Sequence, residues 1–442
     1  MKHGYKIILT YYPLSTPPPA PALNHLLTRG NLGYRSEHFR VIPPSRLAII
    51  HSAQPPMTTT LSTQKPAIDN SHLKSLGKLD VPARLLLGPG PSNADPAVLS
   101  AMDRQPIGHL DKAYLQLMDE VQELMRYAWQ TDNRMTLPVS GTGSAAMEAT
   151  LANTVEPGDK VLVCVNGYFG HRLMDMAGRY GAEVSHINRP WGEVFTVEEL
   201  RTALETHRPK ILAIVHAETS TGVCQPMEGI GDLCREYDCL LLLDTVTSLA
   251  GVPLFLDKWG VDLAYSCSQK GLSCPPGSSP FTMSDRALEV LSNRKSKVAN
   301  WYLDMSLLAN YWGKGRTYHH TAPVNMTYAI REALRIVAEE GLEARWKRHQ
   351  DAAEYLYAGL ADMGLECHVP REYRLHTLTT VRIPEGVDGK VVTAKLVDDH
   401  NMELGGGLGD LAGQVWRVGL MGYNASKENV DTFLAALKSV LA

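Results

Sequence analysis

From about residue 80 the chain alternates short apolar runs with longer stretches in which apolar residues recur every three or four positions. The short runs fall at 161–165, 184–187, 211–215, 240–243 and 263–265. Runs this short, four of the five without Ser, His or charge and one (Val184-Ser185-His186-Ile187) mixed, read as strands mostly buried on both faces. Helical patterns lie between them near 170–180, 196–206 and 227–237. Ahead of them, Leu115, Met118, Val121, Leu124 and Met125 mark a helix over 114–129. Strand–helix alternation predicts an α/β fold with a mostly parallel sheet covered by helices on both faces. After Pro323 the texture changes. Two long helical patterns (325–340 and 342–363) lead to shorter strands near 378–383 and 415–418, and a helix over 426–441 follows. The expected organisation is an N-terminal extension (1–78), a large domain with an N-terminal arm (79–322) and a small α+β domain (323–442).

Composition separates one segment from the rest. Residues 1–56 hold nine of the 27 prolines, six Lys or Arg and one acidic residue, Glu37, so they carry about +5 while the whole chain carries −4. Pro17-Pro18-Pro19 and Pro43-Pro44 break any regular period. The segment is read as a disordered tail or as an over-long gene start ahead of Met57; a targeting peptide fits less well, because no sustained amphipathic pattern accompanies it. The remainder has an ordinary globular balance, 44% hydrophobic and 20% charged for the chain. Nothing in the net charge calls for nucleic acid, and no apolar stretch is long enough to span a bilayer. Seven cysteines without a CxxC pair are expected as reduced thiols in a cytoplasmic compartment.

Three features carry chemistry. Ser140-Gly141-Thr142-Gly143-Ser144 lies between an apolar strand and a helical stretch, where backbone N–H groups and the helix dipole attract an anion. The turn suits one phosphate, and by itself a plain helix cap explains it equally well. It matches neither GxxxxGK[ST] nor GxGxxG. Asp244 ends the run Leu240-Leu241-Leu242-Leu243, at the strand end where open α/β sheets bind ligands. Alone it reads as a capping aspartate. Lys270 follows the strand near 263–265 and precedes Gly271 and Pro275-Pro276-Gly277, in a tight loop rather than on a solvated helix face. An anion turn, a strand-end carboxylate and a strand-end lysine, in that order, match what pyridoxal 5′-phosphate (PLP) needs: a phosphate cup, a partner for the pyridinium nitrogen and an amine.

Eight segments resemble those of class V aminotransferases of fold type I. They are Leu85 to Asn93 (LLLGPGPSN), Ser140-Gly141-Thr142-Gly143, Asn166 to Gly170 (NGYFG), Glu218 to Gly222 (ETSTG), Asp244-Thr245-Val246, Ser268-Gln269-Lys270, Tyr318-His319-His320-Thr321 and Arg417 to Gly422 (RVGLMG). The resemblance spans 85–442. It implies a large domain with a mostly parallel seven-stranded sheet, a small C-terminal α+β domain, and transfer of an amino group from alanine or serine to glyoxylate. It implies that Lys270 is the Schiff-base lysine and that Asp244 pairs with the ring nitrogen. Ser140, Gly141, Thr142 and Gln269 would hold the phosphate, Phe169 would stack on the ring where mammalian relatives have Trp, and Val246 and Thr219 would lie beside it. Tyr318 and Thr321 would reach the neighbouring site of a homodimer. Arg417 would grip the substrate carboxylate, with Gly90 lining a small pocket.

Other readings are weighed against these. Arg417, on an apolar segment, needs a partner; by itself it reads as an internal salt bridge, and with the resemblance as the substrate-carboxylate arginine. His319 and His320, adjacent on an extended segment, face opposite ways and read as structural or subunit contacts rather than metal ligands. Cys267 and Cys274 read as buried thiols. Gly405 to Gly409 reads as a flexible loop near the substrate entrance. Among PLP enzymes, donors such as aminoethylphosphonate or hydroxykynurenine are the alternative; outside them, a nicotinamide dehydrogenase lacks its GxGxxG.

Overall fold

Alternate residues of the buried strands face opposite layers, and that sorting organises the fold. A computed structural model describes residues 71–442; the proline-rich segment 1–56 and the question of Met57 lie outside the described residues. Ser71–Ser75 form a 3-10 turn. Residues from Leu79 to Ala442 make one compact unit.

Its main sheet has seven strands: β1 (Met135–Ser140), β2 (Lys160–Val165), β3 (Glu183–Asn188), β4 (Ile211–Val215), β5 (Leu240–Asp244), β6 (Leu263–Tyr265) and β7 (Ser278–Met283). Their spatial order is β1-β7-β6-β5-β4-β2-β3. β7 pairs antiparallel with both β6 and β1, and every other pairing is parallel. Leu162, Cys164, Leu212, Ile214, Leu241 and Leu243 enter one apolar layer; Val161, Val163, Ile211, Ala213, Leu240 and Leu242 enter the other. A period of two along a doubly covered strand produces this division. Helices Lys112–Trp129 and Val197–His207 cover the first layer through Trp129 and Leu204. Helices Gly143–Thr154 and Tyr168–Arg179 cover the second through Leu151 and Leu173.

A second sheet is antiparallel and has β10 (Val415–Gly419) between β8 (Leu378–Arg382) and β9 (Gly405–Gly406). Its own core gathers Leu356, Val381, Leu396, Trp416 and Phe433, together with Leu87 from the arm. The packing does not change over at 323. Helix Val324–Glu340 inserts Ala329, Ile330, Leu334 and Val337 into the first layer of the large sheet, and the second core draws residues only from Ala352 onward on this side of the chain. Amphipathic spacing marks a buried helix face without saying which layer it covers.

The arm joins the two sheets. Leu85–Leu86 pair in parallel with Met402–Glu403, and Leu87 O accepts the Gly419 N–H at 2.8 Å. Further on, Ser92 N–H donates to Gln269 O at 2.9 Å and Ser92 Oγ to Lys270 O at 3.0 Å. The expected loop at 405–409 is partly a strand: Gly405 and Gly406 pair with Arg417 and Trp416. A Cβ on Gly405 would stand 2.2 Å from the Pro89 ring, so only glycine lets this edge strand lie against the arm. Among the described residues no helix is long and apolar enough to cross a membrane.

Candidate active site

Asp244 is the last residue of β5 and Tyr265 the last of β6, and the two stand opposite each other in register. Both lie on the second layer's face of the sheet, at the carboxyl ends of the parallel strands, where helix N-termini and strand ends leave a crevice. The crevice holds about 720 Å³, its open mouth included. Seven of the residues expected from the sequence line it: Gly90, Thr142, Phe169, Asp244, Val246, Gln269 and Lys270.

Each wall follows from local structure. Asp244 is 2% exposed; its Oδ1 accepts the Val246 N–H at 2.8 Å and its Oδ2 the Tyr265 hydroxyl at 2.6 Å. Burial raises its pKa to about 6, with the Tyr265 and Val246 hydrogen bonds pulling the other way. Lys270 is 8% exposed and donates from Nζ to Pro89 O. Burial lowers its pKa, nearby Arg417 lowers it further, and Cys267, Asp244 and Glu218 oppose the fall. Gly90, at φ +112, lets the arm approach this amine: a Cβ there would lie 2.7 Å from the Lys270 side chain.

The turn at 140–144 opens helix Gly143–Thr154. Thr142 is the cap residue, yet its hydroxyl makes no capping bond, so it is free to face the crevice. Gly141 spends its N–H on Gly277 O and accepts Ser279 Oγ, and Ser140 Oγ bonds His320 Nε2 at 3.1 Å. These two residues shape the turn, and Thr142, Gly143 and Ser144 face the cleft. Gln269 Oε1 is buried without a partner among the described residues. Phe169 is anchored by its N–H on Glu218 Oε2 at 3.1 Å, and Glu218 is itself buried, which raises its pKa.

Arg417 sits on β10, 6% exposed. Its Nε donates to Gly406 O at 2.7 Å and its Nη1 to Thr219 O at 3.4 Å. Among the described residues no carboxylate forms an ion pair with it. The internal salt bridge weighed from the sequence is therefore absent there. Burial lowers its pKa to about 10, with Glu218 opposing. Thr219 does not line the crevice; its hydroxyl bonds Thr247 Oγ1 at 2.5 Å. Tyr318 and Thr321 are exposed and stand outside this chain's own crevice. His319 and His320 bond each other through Nδ1 at 2.8 Å, and Trp301 stacks on His319 at 4.3 Å. Among the described residues no group of His, Cys, Asp or Glu is arranged to hold a metal. Burial raises the Cys267 and Cys274 thiols to about 12.

Sequence reasoning did not single out Tyr265, Met147 or Arg172, which also line the crevice. Arg172 places its guanidinium 4.7 Å from the Phe169 ring centroid. Its signal was available: it follows Phe169 by three residues on one helix, hence on one face.

The crevice brings together an amine, a carboxylate and an anion turn; Arg417, close enough to lower the Lys270 pKa, is not among its lining residues. A profile of the family described as aminotransferase class-V matches residues 84–433. The chain is 45% identical over 370 residues to the alanine–glyoxylate aminotransferase of Callithrix jacchus, a match covering 83% of this chain and 89% of that one. It is 38% identical over 382 residues to the (S)-ureidoglycine–glyoxylate transaminase of Bacillus subtilis, covering 82% and 92%. The crystal structure of an alanine–glyoxylate aminotransferase from Nostoc sp. matches with a TM-score of 0.84 at 66% identity, over 85% of this chain and 100% of that one. By profile, by sequence and by structure, this chain belongs to the class V aminotransferase family.

Proposed function

We propose that this aminotransferase uses PLP to move the amino group of alanine, or of serine, to glyoxylate, forming glycine and pyruvate or hydroxypyruvate. The observation that carries the reading is the buried Arg417 without a counter-carboxylate, beside a buried lysine whose pKa is lowered. A guanidinium fork that meets only main-chain carbonyls has donors left for a carboxylate, which it binds in two parallel hydrogen bonds. The relatives named for alanine and glyoxylate support the choice of substrates. So does Gly90, which lines the crevice with backbone where a bulkier residue would crowd Lys270.

The residues present fit the cofactor. The free Thr142 hydroxyl, the Ser144 end of the helix and the orphaned Gln269 amide would hold the phosphate; a flipped amide offers its NH₂ in the same place. Gly141 and Ser140 would set the turn, Phe169 and Val246 would flank the ring, and Thr219 would act through its carbonyl on Arg417. Bound PLP supplies an electron sink for the pair released when the substrate Cα–H bond breaks. Asp244 would keep the ring nitrogen protonated, since above about pH 6 it is a carboxylate facing the crevice. Lys270 would carry the cofactor covalently and, once released, take the proton from the substrate Cα as a neutral amine, a form its burial favours. Arg417 would orient that Cα by its grip on the carboxylate.

We infer a homodimer, supported by Tyr318, which is 58% exposed away from this chain's crevice, and by exposed Thr321. The free thiols at all seven cysteines accord with a cytoplasmic setting. Purified protein with PLP should show a visible absorbance band, and borohydride followed by peptide mapping should find the label on Lys270. A donor panel against glyoxylate should give highest kcat/KM with alanine, then serine. Activity with aminoethylphosphonate alone would overturn the substrates; an unlabelled Lys270 would overturn the cofactor.

A further inference from the structure

The partner of Asp244 inside the protein is as notable as the cofactor it would face. A buried carboxylate that must stay charged needs donors, and each donor to the charged form holds its pKa down. Among the described residues Asp244 has one side-chain donor, the Tyr265 hydroxyl at 2.6 Å, and one backbone donor, Val246 N–H. Tyr265 has no exposure, and its ring is packed in the second core layer, so the hydroxyl is aimed by the strand register rather than by a mobile side chain. The phenol also keeps its proton across the working range, because burial and the adjacent carboxylate push its pKa well above the ordinary value.

We propose that Tyr265 is a positioning residue for amino transfer: its hydroxyl holds Asp244 ionised and turned toward the cofactor's ring nitrogen. The proposal rests on the PLP reading above. The charged and titratable groups bearing on the pair are Glu218, which opposes ionisation of Asp244 and of Tyr265, Lys270, which favours ionisation of Asp244, Arg172, which acts on Tyr265, and the Cys267 thiol, whose pKa Asp244 raises. Glu218 already has its own donors in Ser220 and Phe169, and no hydrogen bond joins it to Asp244. With the hydroxyl gone, Asp244 would keep a proton to higher pH. In that form it would compete with the ring nitrogen as a donor instead of accepting from it.

Tyr265→Phe removes only the hydroxyl. The expected result is an acid limb of the kcat/KM–pH profile moved up by about one to two units, the range for a hydrogen bond to a charged group, which lowers kcat/KM at pH 7 about 2- to 10-fold. KM for the amino donor should change less than about threefold, while the dissociation constant of PLP from the apo chain rises about tenfold. An unmoved acid limb with unchanged PLP affinity overturns the proposal. In an Asp244→Asn background the same swap should alter PLP affinity by less than about twofold; a full tenfold effect there also overturns it, because the hydroxyl would then act without the carboxylate. If Tyr265→Phe does not fold, carboxyl-labelled aspartate in the wild-type apo chain, assigned against Asp244→Asn, reads the ionisation directly. An Asp244 still protonated at pH 8 would refute the role. Borohydride labelling separates the two failures: Lys270 labelled with an unmoved acid limb removes only Tyr265, whereas Lys270 unlabelled in the wild type removes the cofactor reading.

Discussion

Two buried charged groups on different sheets are held in opposite ways, one lining the crevice and the other, Arg417, near Lys270 but outside that lining. Asp244, on the large sheet, has both oxygens occupied by protein donors, whereas Arg417, on the small sheet, touches only carbonyl oxygens. Burial acts on both, raising Asp244 to about 6 and lowering Arg417 to about 10. The difference tracks what each group would meet. A resident cofactor nitrogen needs a carboxylate fixed in advance, while a substrate carboxylate that comes and goes needs a cation with unused donors. Full partnering of Arg417 within the protein would compete with substrate, and an unpartnered Asp244 would take up a proton.

The comparison can be broken from either side. The largest effect is expected from Lys270→Ala, which removes the amine that both halves serve: transamination should fall at least about 10⁴-fold, and gel filtration and circular dichroism should be unchanged. Measurable turnover in that variant would detach both charged groups from the proposed chemistry.

Asp244→Asn comes next, with kcat/KM reduced about 10²- to 10³-fold, the loss expected when a preorganised charge is neutralised. Its stability should move the other way. The folded pKa of Asp244 lies above its ordinary value of 3.8, so between about pH 4 and 6 the folded chain binds a proton that the unfolded chain does not. Ionising this group as pH rises through that window therefore lowers stability, by on the order of 2–3 kcal/mol at pH 7. The apo Asn variant should melt no lower than wild type at pH 7, and the advantage should shrink below pH 4. A lower melting temperature at pH 7 would show that the two hydrogen bonds outweigh the buried charge.

Arg417→Lys sharpens the small-sheet side. It keeps the charge and loses the fork, so KM for alanine should rise about 10- to 100-fold while the PLP dissociation constant stays within about twofold. If cofactor affinity falls as far as substrate affinity, Arg417 belongs with Asp244 after all. The smallest effect is expected at Phe169→Leu, where loss of an aromatic face should weaken PLP binding about 2- to 10-fold, read by titration of the apo chain.

Much of this was legible before any coordinates. The strands β2 to β6 fall on the apolar runs, and the amphipathic stretches became helices within about two residues, except that the one expected at 227–237 starts only at Ile230. β7 was not legible: Pro280 and the Ser and Thr around it give no strand signal, and its place between β1 and β6 comes from long-range pairing. β9 is two glycines, which have no intrinsic strand preference. The helix at Val324–Glu340 was legible as a helix and not as part of the large core, since a hydrophobic face carries no address. Within the crevice, Lys270, Asp244 and the turn at Thr142 could be read because strand ends and glycine-rich turns are local features. Tyr265 could not, because an aromatic residue closing an apolar run looks like core until its strand is paired with Asp244.

The order of residues along the chain determined which groups would be available: an amine after one strand, a carboxylate after the next strand over, an anion turn before a helix, an arginine on a late strand. Pattern determined the α/β class, because strands buried on both faces leave continuous apolar runs and helices buried on one face leave apolar residues every third or fourth position. Tertiary structure alone decided which groups are satisfied and which are spare. Hydrogen-bond partners of buried charges come from other segments, Tyr265 to Asp244 and Gly406 to Arg417 from neighbouring strands and Thr219 to Arg417 from a loop 198 residues away, and a pairing of that kind exists only once the layers have packed.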